Sequence, residues 1–238
     1  MRLAGPLLLV VLLGIGSVPA GAAPPPSVDG QVDFVTNIEK AKAHLLISEE
    51  LYAAGETAKA ALHSSHPVQE LGGRLIGPIK KVDGALADRV RALLKKPRLA
   101  IDAKVSRPQY AALVSEVSGS LDEAVSRVIS TDPRGRARLR ARVIDRLLET
   151  MVEDYQEALT SGKIAQVVEY QDAYGFLRRA HALYRDIAGS VPESTGADFT
   201  ALTRGFPGVT PPPLPLPVRR VKELVARIGT SLATVAGS

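Results

Sequence analysis

Three of the chain's four histidines, His44, His63 and His66, fall between positions 44 and 66, and Glu70 follows four residues later. Imidazole and carboxylate in that mixture can hold a first-row transition ion such as iron, zinc, copper or manganese. The sequence contains no cysteine, which excludes disulfides, a thiolate metal site and a cysteine nucleophile. A second constellation lies far downstream. Glu169 and Asp172 are three residues apart, so on a helix they share a face with Phe176 and Ala180. Two acids on an apolar face are costly unless they are paired or coordinate a cation. Neither set has a diagnostic spacing, since H-E-x-x-H and H-x-x-E-H are absent. The plainer alternatives are caps and bend contacts for His63 and His66 and an interior role for His44. For the acids, the alternative is charge pairing with Arg178, Arg179 or the basic run that starts at Arg134.

Other chemistry finds little footing. No serine stands in G-x-S-x-G, no S-x-x-K occurs in a catalytic context, and no glycine-rich phosphate loop follows a strand. The net charge of +5 is mild, its excess sits mainly in "RGRARLRAR" (Arg134 to Arg142), and four Phe, six Tyr and no Trp leave little for base stacking. These observations argue against a nucleic-acid partner and against an enzyme. They favour a binding protein.

The elements that must position the two constellations are helices. Apolar residues recur at spacings of three and four almost throughout, so the fold class is all-α, a helical bundle built from αα-hairpins with a proline-rich C-terminal extension. A first helix is expected over 33–54, with Phe34, Ile38, Ala41, Leu45, Ser48 and Tyr52 on one stripe and Gly55 ending it. His44 lies on the flank of that stripe, facing a second helix over 56–63. The end of the second helix returns towards the start of the first, so His63 approaches the level of Lys40 to His44. Pro67 disfavours helical geometry at the residue before it, which makes "SSHP" a bend and starts a third helix at Pro67. Further helices are expected over 82–95, closed by Pro97, and over 108–129, 133–159 and 164–187. Gly175 in mid-helix costs about 1 kcal/mol relative to alanine, which makes sense if another helix approaches closely there.

The ends of the chain read differently. Met1 and Arg2, an apolar run from Leu7 to Gly16 and the small residues up to Ala23 form a secretory signal peptide, cleaved after Ala20 or Ala23. The expected organisation is a signal peptide over 1–23, a flexible tether over 24–32, the bundle over 33–190, a proline-rich linker over 191–220 and a short basic helix or tail over 221–238. The protein is expected to be exported, to the periplasm or beyond, without a membrane span in the mature chain. The proline-rich region is expected to be extended and poorly attached, so that its removal leaves the bundle's stability nearly unchanged.

The stretch "EDYQEALTSGKIAQVVEYQDAYGF" (Glu153 to Phe176) resembles the helical extracytoplasmic domain that precedes the membrane part of bacterial iron-permease proteins. Asp154 and Tyr155, the turn Ser161, Gly162 and Lys163, and then Glu169, Tyr170 and Phe176 occur in the order found there. More loosely, an exported helical protein with histidine and acidic motifs is similar to imelysin-like periplasmic proteins of iron uptake. The chain carries neither the R-E-x-x-E motif nor the membrane helix of a permease. The resemblance therefore implies a stand-alone counterpart of the soluble domain, an envelope accessory of iron handling with a membrane transporter or another envelope protein as partner. The residues expected to bind metal are His44, His63, His66 and Glu70 as one set, with Glu169 and Asp172 as a second. The alternative is a metal-free helical interaction module working through its helix faces and the Arg134 to Arg142 surface.

Overall fold

The computed structural model describes residues 27–237, so the expected signal peptide and the first residues of the expected tether lie outside the described residues. The chain forms nine α-helices among the described residues: α1 (Val28–Ala53), α2 (Thr57–Gln69), α3 (Gly72–Val82), α4 (Gly84–Asp102), α5 (Arg107–Val128), α6 (Pro133–Ala158), α7 (Val167–Arg185), α8 (Ser194–Arg204) and α9 (Val218–Ala236). The all-α reading holds. The only strands among the described residues are β1 (Leu159–Thr160) and β2 (Lys163–Ile164), two residues each, which pair in the α6–α7 turn. Ser161 and Gly162 both take positive φ there, 51° and 76°, the conformation that a two-residue hairpin turn needs. Gly55, at φ 84°, reverses the chain between α1 and α2.

Helix α1 is the axis of the assembly and packs against α2, α3, α5, α6 and α7. Its buried residues include Ile38, Ala41, Leu45 and Ile47, none of them exposed to solvent. The α6–α7 hairpin lies alongside, with α9 on the far face of α6. Asp132 caps α6 through the amide of Gly135 at 2.6 Å, and Pro133 occupies the first turn, as the sequence leads one to expect.

Several boundaries differ from expectation, each for a physical reason. Helix α1 starts five residues earlier than position 33, because the Ser27 hydroxyl caps the amide of Gly30 at 3.1 Å and Val32 is buried. Residues 28–32 are therefore helix rather than tether. Pro67 does not break α2: the helix runs through it to Gln69, losing only the hydrogen bond that the carbonyl of His63 would have received. Burial of His63, Ser64, His66 and Pro67 outweighs the local preference for a bend. Pro97 lies inside α4 in the same way, buried against its neighbours. The expected linker over 191–220 is not structureless, since it contains α8, which buries Thr195, Phe199 and Leu202. The terminal helix α9 is docked on α6 and α8 through Val221, Leu224, Ile228, Leu232 and Val235.

Helices α1 and α7 approach closely at Gly175. A Cβ at that position would lie 2.5 Å from Ile47 Cδ1, 3.0 Å from Ile47 Cγ1 and 3.3 Å from the Cβ of Ala43. The mid-helix glycine is thus explained by contact. Replacing Gly175 with valine is expected to overpack the interface by about 2–3 kcal/mol, lowering the thermal midpoint by roughly 5–10 °C. Circular dichroism melting checks this, and an unchanged midpoint would show that the helices separate without strain.

Candidate metal centre

Four side chains from three helices meet one turn away from the Gly175 contact. Helix α1 supplies His44, α2 supplies His63 and His66 from one face, and α7 supplies Asp172. The unbroken α2 matters here, because residues three apart point the same way only if the helix continues between them. His63 is 0% exposed, His44 2%, and His66 and Asp172 8% each. His44 Nδ1 lies 2.9 Å from Asp172 Oδ1, His63 Nδ1 lies 3.2 Å from the same oxygen, and His66 Nδ1 is 3.3 Å from His44 Nδ1. One donor atom from each residue falls within 4.8 Å of all the others.

These separations suit a shared ion. Two donors bonded at about 2.1 Å to one ion stand about 3.0 Å apart at a right angle and about 3.4 Å apart at the tetrahedral angle. Ordinary hydrogen bonds also have such lengths, so alignment decides between them. His63 Nδ1 and Asp172 Oδ1 are both buried and, despite their closeness, neither has an aligned hydrogen-bond partner. Buried polar atoms in native folds are nearly always satisfied, and a facing pair that is not calls for a third party between them. A cation bound by both is chemically suited to that place.

The electrostatics agree. Burial opposes ionisation of Asp172, yet its contacts with His44 and His63 and their charge hold the carboxyl well below the usual carboxylate range. Burial and the neighbouring His44 push His66 below the ordinary histidine value, so its imidazole is neutral, the form that binds metal. Imidazoles gathered around an ionised carboxylate offer a donor set of the kind a first-row cation can use.

The cluster opens on one side into a cavity of about 660 Å³ whose walls include Glu70, Asp154, Glu169 and Lys40. Glu70 Oε1 is 3.7 Å from His66 Nδ1, and its Oε2 is 4.0 Å from His44 Nε2, while its side chain remains more than half exposed. Glu169 lies on the cavity wall rather than in the cluster, its carboxyl pushed up by burial and then by the charge of Asp172. Asp154 is pushed up to about 7, first by burial and then by Asp172 and Glu169.

The sequence sorted these residues into two sets, and the structure regroups them. Asp172 crosses to the histidines, while Glu70 and Glu169 stand at the mouth. The arginines expected to answer the acids are engaged elsewhere: Arg179 pairs with Glu39 at 2.6 Å and Arg178 donates to the Tyr174 hydroxyl at 2.8 Å. Within the Arg134 to Arg142 run, Arg140 pairs with Asp186, Arg142 with Asp29, and Arg136 bonds the carbonyl of Thr131. Two residues of the site escaped sequence reasoning. Asp154 stood only within the "DY" pair of the resemblance. Gln171, whose Oε1 is 2.9 Å from His63 Nε2, had no signal at all.

Comparison with known proteins bears on one half of this arrangement. Residues 130–238 match the family model of the iron permease-associated 4-helix bundle domain. That stretch spans α6 to α9 among the described residues and carries Asp154, Glu169 and Asp172, whereas the three clustered histidines lie outside it. No curated protein and no solved structure matches the chain. No helix of the described residues is long and apolar enough to cross a membrane.

Proposed function

We propose that this chain is an exported metal-binding protein that serves iron uptake at the cell envelope, holding a divalent first-row ion on His44, His63, His66 and Asp172. The observation that carries the reading is the buried, unaligned pair of His63 Nδ1 and Asp172 Oδ1, flanked by two further imidazoles. Three nitrogens and one carboxylate oxygen suit iron(II), and equally zinc or manganese, by ligand chemistry alone. The match to an iron permease-associated domain favours iron. The ion is cargo in this reading. Glu70, Glu169 and Asp154 at the cavity mouth attract it, and Glu70 is placed to close over it as a further oxygen ligand. A membrane transporter of iron is the partner that the same match favours, and the chain acts by binding rather than by catalysis.

Anaerobic titration of the purified chain with iron(II) tests the reading. One ion per chain is expected, and at a free concentration a hundredfold above the dissociation constant the fold gains about 2.7 kcal/mol, raising the thermal midpoint by roughly 5–10 °C. A midpoint indifferent to iron, zinc and manganese alike would sink the metal reading. The sign of the pH dependence follows from His66. Its pKa lies below the ordinary histidine value, so it stays a neutral ligand as the pH falls to about 6.5. Below that, protons compete with the ion for His66, and affinity is expected to fall as the pH drops further.

A further inference from the structure

The proline-rich segment between α8 and α9 lies against α6 and α7. Prolines have no N–H to give, so such a segment leaves carbonyls free to accept from elsewhere. Three side chains use them. The hydroxyl of Tyr170 donates to the carbonyl of Gly208 at 3.0 Å, that of Tyr155 to Leu216 at 2.7 Å, and the amide nitrogen of Gln171 to Val209 at 3.1 Å. Phe206 is buried beneath the segment against the rings of Tyr155 and Tyr170.

The Gln171 contact has a chemical meaning that the two tyrosines lack. A backbone carbonyl only accepts, so the Gln171 nitrogen must face Val209 and its oxygen must face the other way. That oxygen lies 2.9 Å from His63 Nε2, and an amide oxygen only accepts. In its neutral form His63 therefore carries the proton on Nε2, and Nδ1, 3.2 Å from Asp172 Oδ1 without an aligned hydrogen bond, is left with its lone pair. Gln171 is 2% exposed, so no water competes for either bond.

We propose that Gln171, clamped by the carbonyl of Val209, is the positioning residue of the centre: it holds His63 in the tautomer protonated at Nε2 and so makes Nδ1 the ligand atom. The proposal rests on the metal reading for its purpose but not for its test. Ligating histidines are characteristically oriented through their second nitrogen, and loss of such a partner lowers metal affinity about 10- to 100-fold. Here the partner is an amide, itself held by a segment that the fold brings in from far along the chain.

Long-range nitrogen–proton NMR correlation on the metal-free protein above pH 7.5 reads the tautomer directly. His63 is expected to be protonated at Nε2 in the unaltered chain. In Gln171→Leu the two tautomers should mix, and iron(II) affinity should fall about 10- to 100-fold with helicity unchanged. Gln171→Met fills the space without an acceptor and should mix the tautomers as leucine does, whereas a merely structural role for Gln171 would leave the tautomer unmoved. A His63 protonated at Nδ1 in the unaltered chain overturns the proposal, as does a tautomer that ignores the leucine substitution. A tautomer that follows Gln171 in a chain that takes up no ion upholds the clamp and overturns the metal reading instead.

Discussion

Asp172→Asn is expected to weaken iron(II) binding roughly 150- to 5,000-fold while leaving the helical content of the chain unchanged. Asparagine preserves the size of the side chain and removes the one formal negative charge inside the buried cluster. Breaking a buried charge pair by removing one partner costs about 3–5 kcal/mol, and 1.36 kcal/mol corresponds to a factor of ten. Three neutral imidazoles would remain to face the ion alone. Glu169→Gln supplies the contrast, because Glu169 lines the cavity wall and lies outside the cluster. Its loss should reduce affinity by less than about tenfold, as expected for a solvent-screened charge at the entrance. Competition titration against a chelator measures both. Binding by Asp172→Asn within threefold of the unaltered chain would show that the ion, if bound, sits elsewhere.

Removal of everything from Gly205 onward is expected to abolish the cooperative thermal transition or lower its midpoint by more than about 15 °C. This reverses the expectation drawn from the aperiodic, proline-rich composition of that region. Helix α9 buries Val221, Leu224, Ile228, Leu232 and Val235, and each buried aliphatic side chain of this size contributes about 1.5–3 kcal/mol. Their sum, at roughly 7–15 kcal/mol, is comparable to the whole stability of a domain. The truncation also uncovers the face of α6 that α9 covers and strips Tyr155, Tyr170 and Gln171 of their carbonyl partners. A truncated chain that melts within a few degrees of the full chain would mean that α9 contributes contacts without contributing stability.

The fold and the site were unequally legible in the sequence. Helices with dense apolar spacing, such as α5 and α6, announce themselves, and the caps at Asp132 and Gly55 mark where they turn. His44, His63 and His66 could be proposed as one cluster because a hairpin brings its ends together and the three lie in one hairpin. Asp172 was visible as a costly acid on an inward face, but its partners were not. The register of α7 against α1 is set by the contact of Gly175 with Ile47 and Ala43, and a single sequence records such a contact only as an unexplained glycine. Pro67 misled for a different reason. Local geometry argued for a bend, and burial of the residues on both sides of the proline outweighed it. The region after position 190 was opaque because α8 has few apolar residues and the extended segment has no period. Its attachment runs through backbone carbonyls, which every sequence possesses and none displays.

One consequence of the site's construction concerns the order of events in the life of the chain. His63 and Gln171, which share a hydrogen bond at the heart of the centre, are 108 positions apart. A denatured chain offers His63, His66 and Glu70 close together but not His44 or Asp172 beside them. In the metal reading, the complete site exists only once the chain has folded. By raw affinity, sites of nitrogen and oxygen ligands favour copper over zinc and both over iron. A protein that meets metal only where it folds can escape that ranking, because the ions available in that compartment decide which are there to bind. Under this reading, delivery of an unfolded chain to its compartment would act as a metal-selection step, made by geography rather than by the ligands themselves.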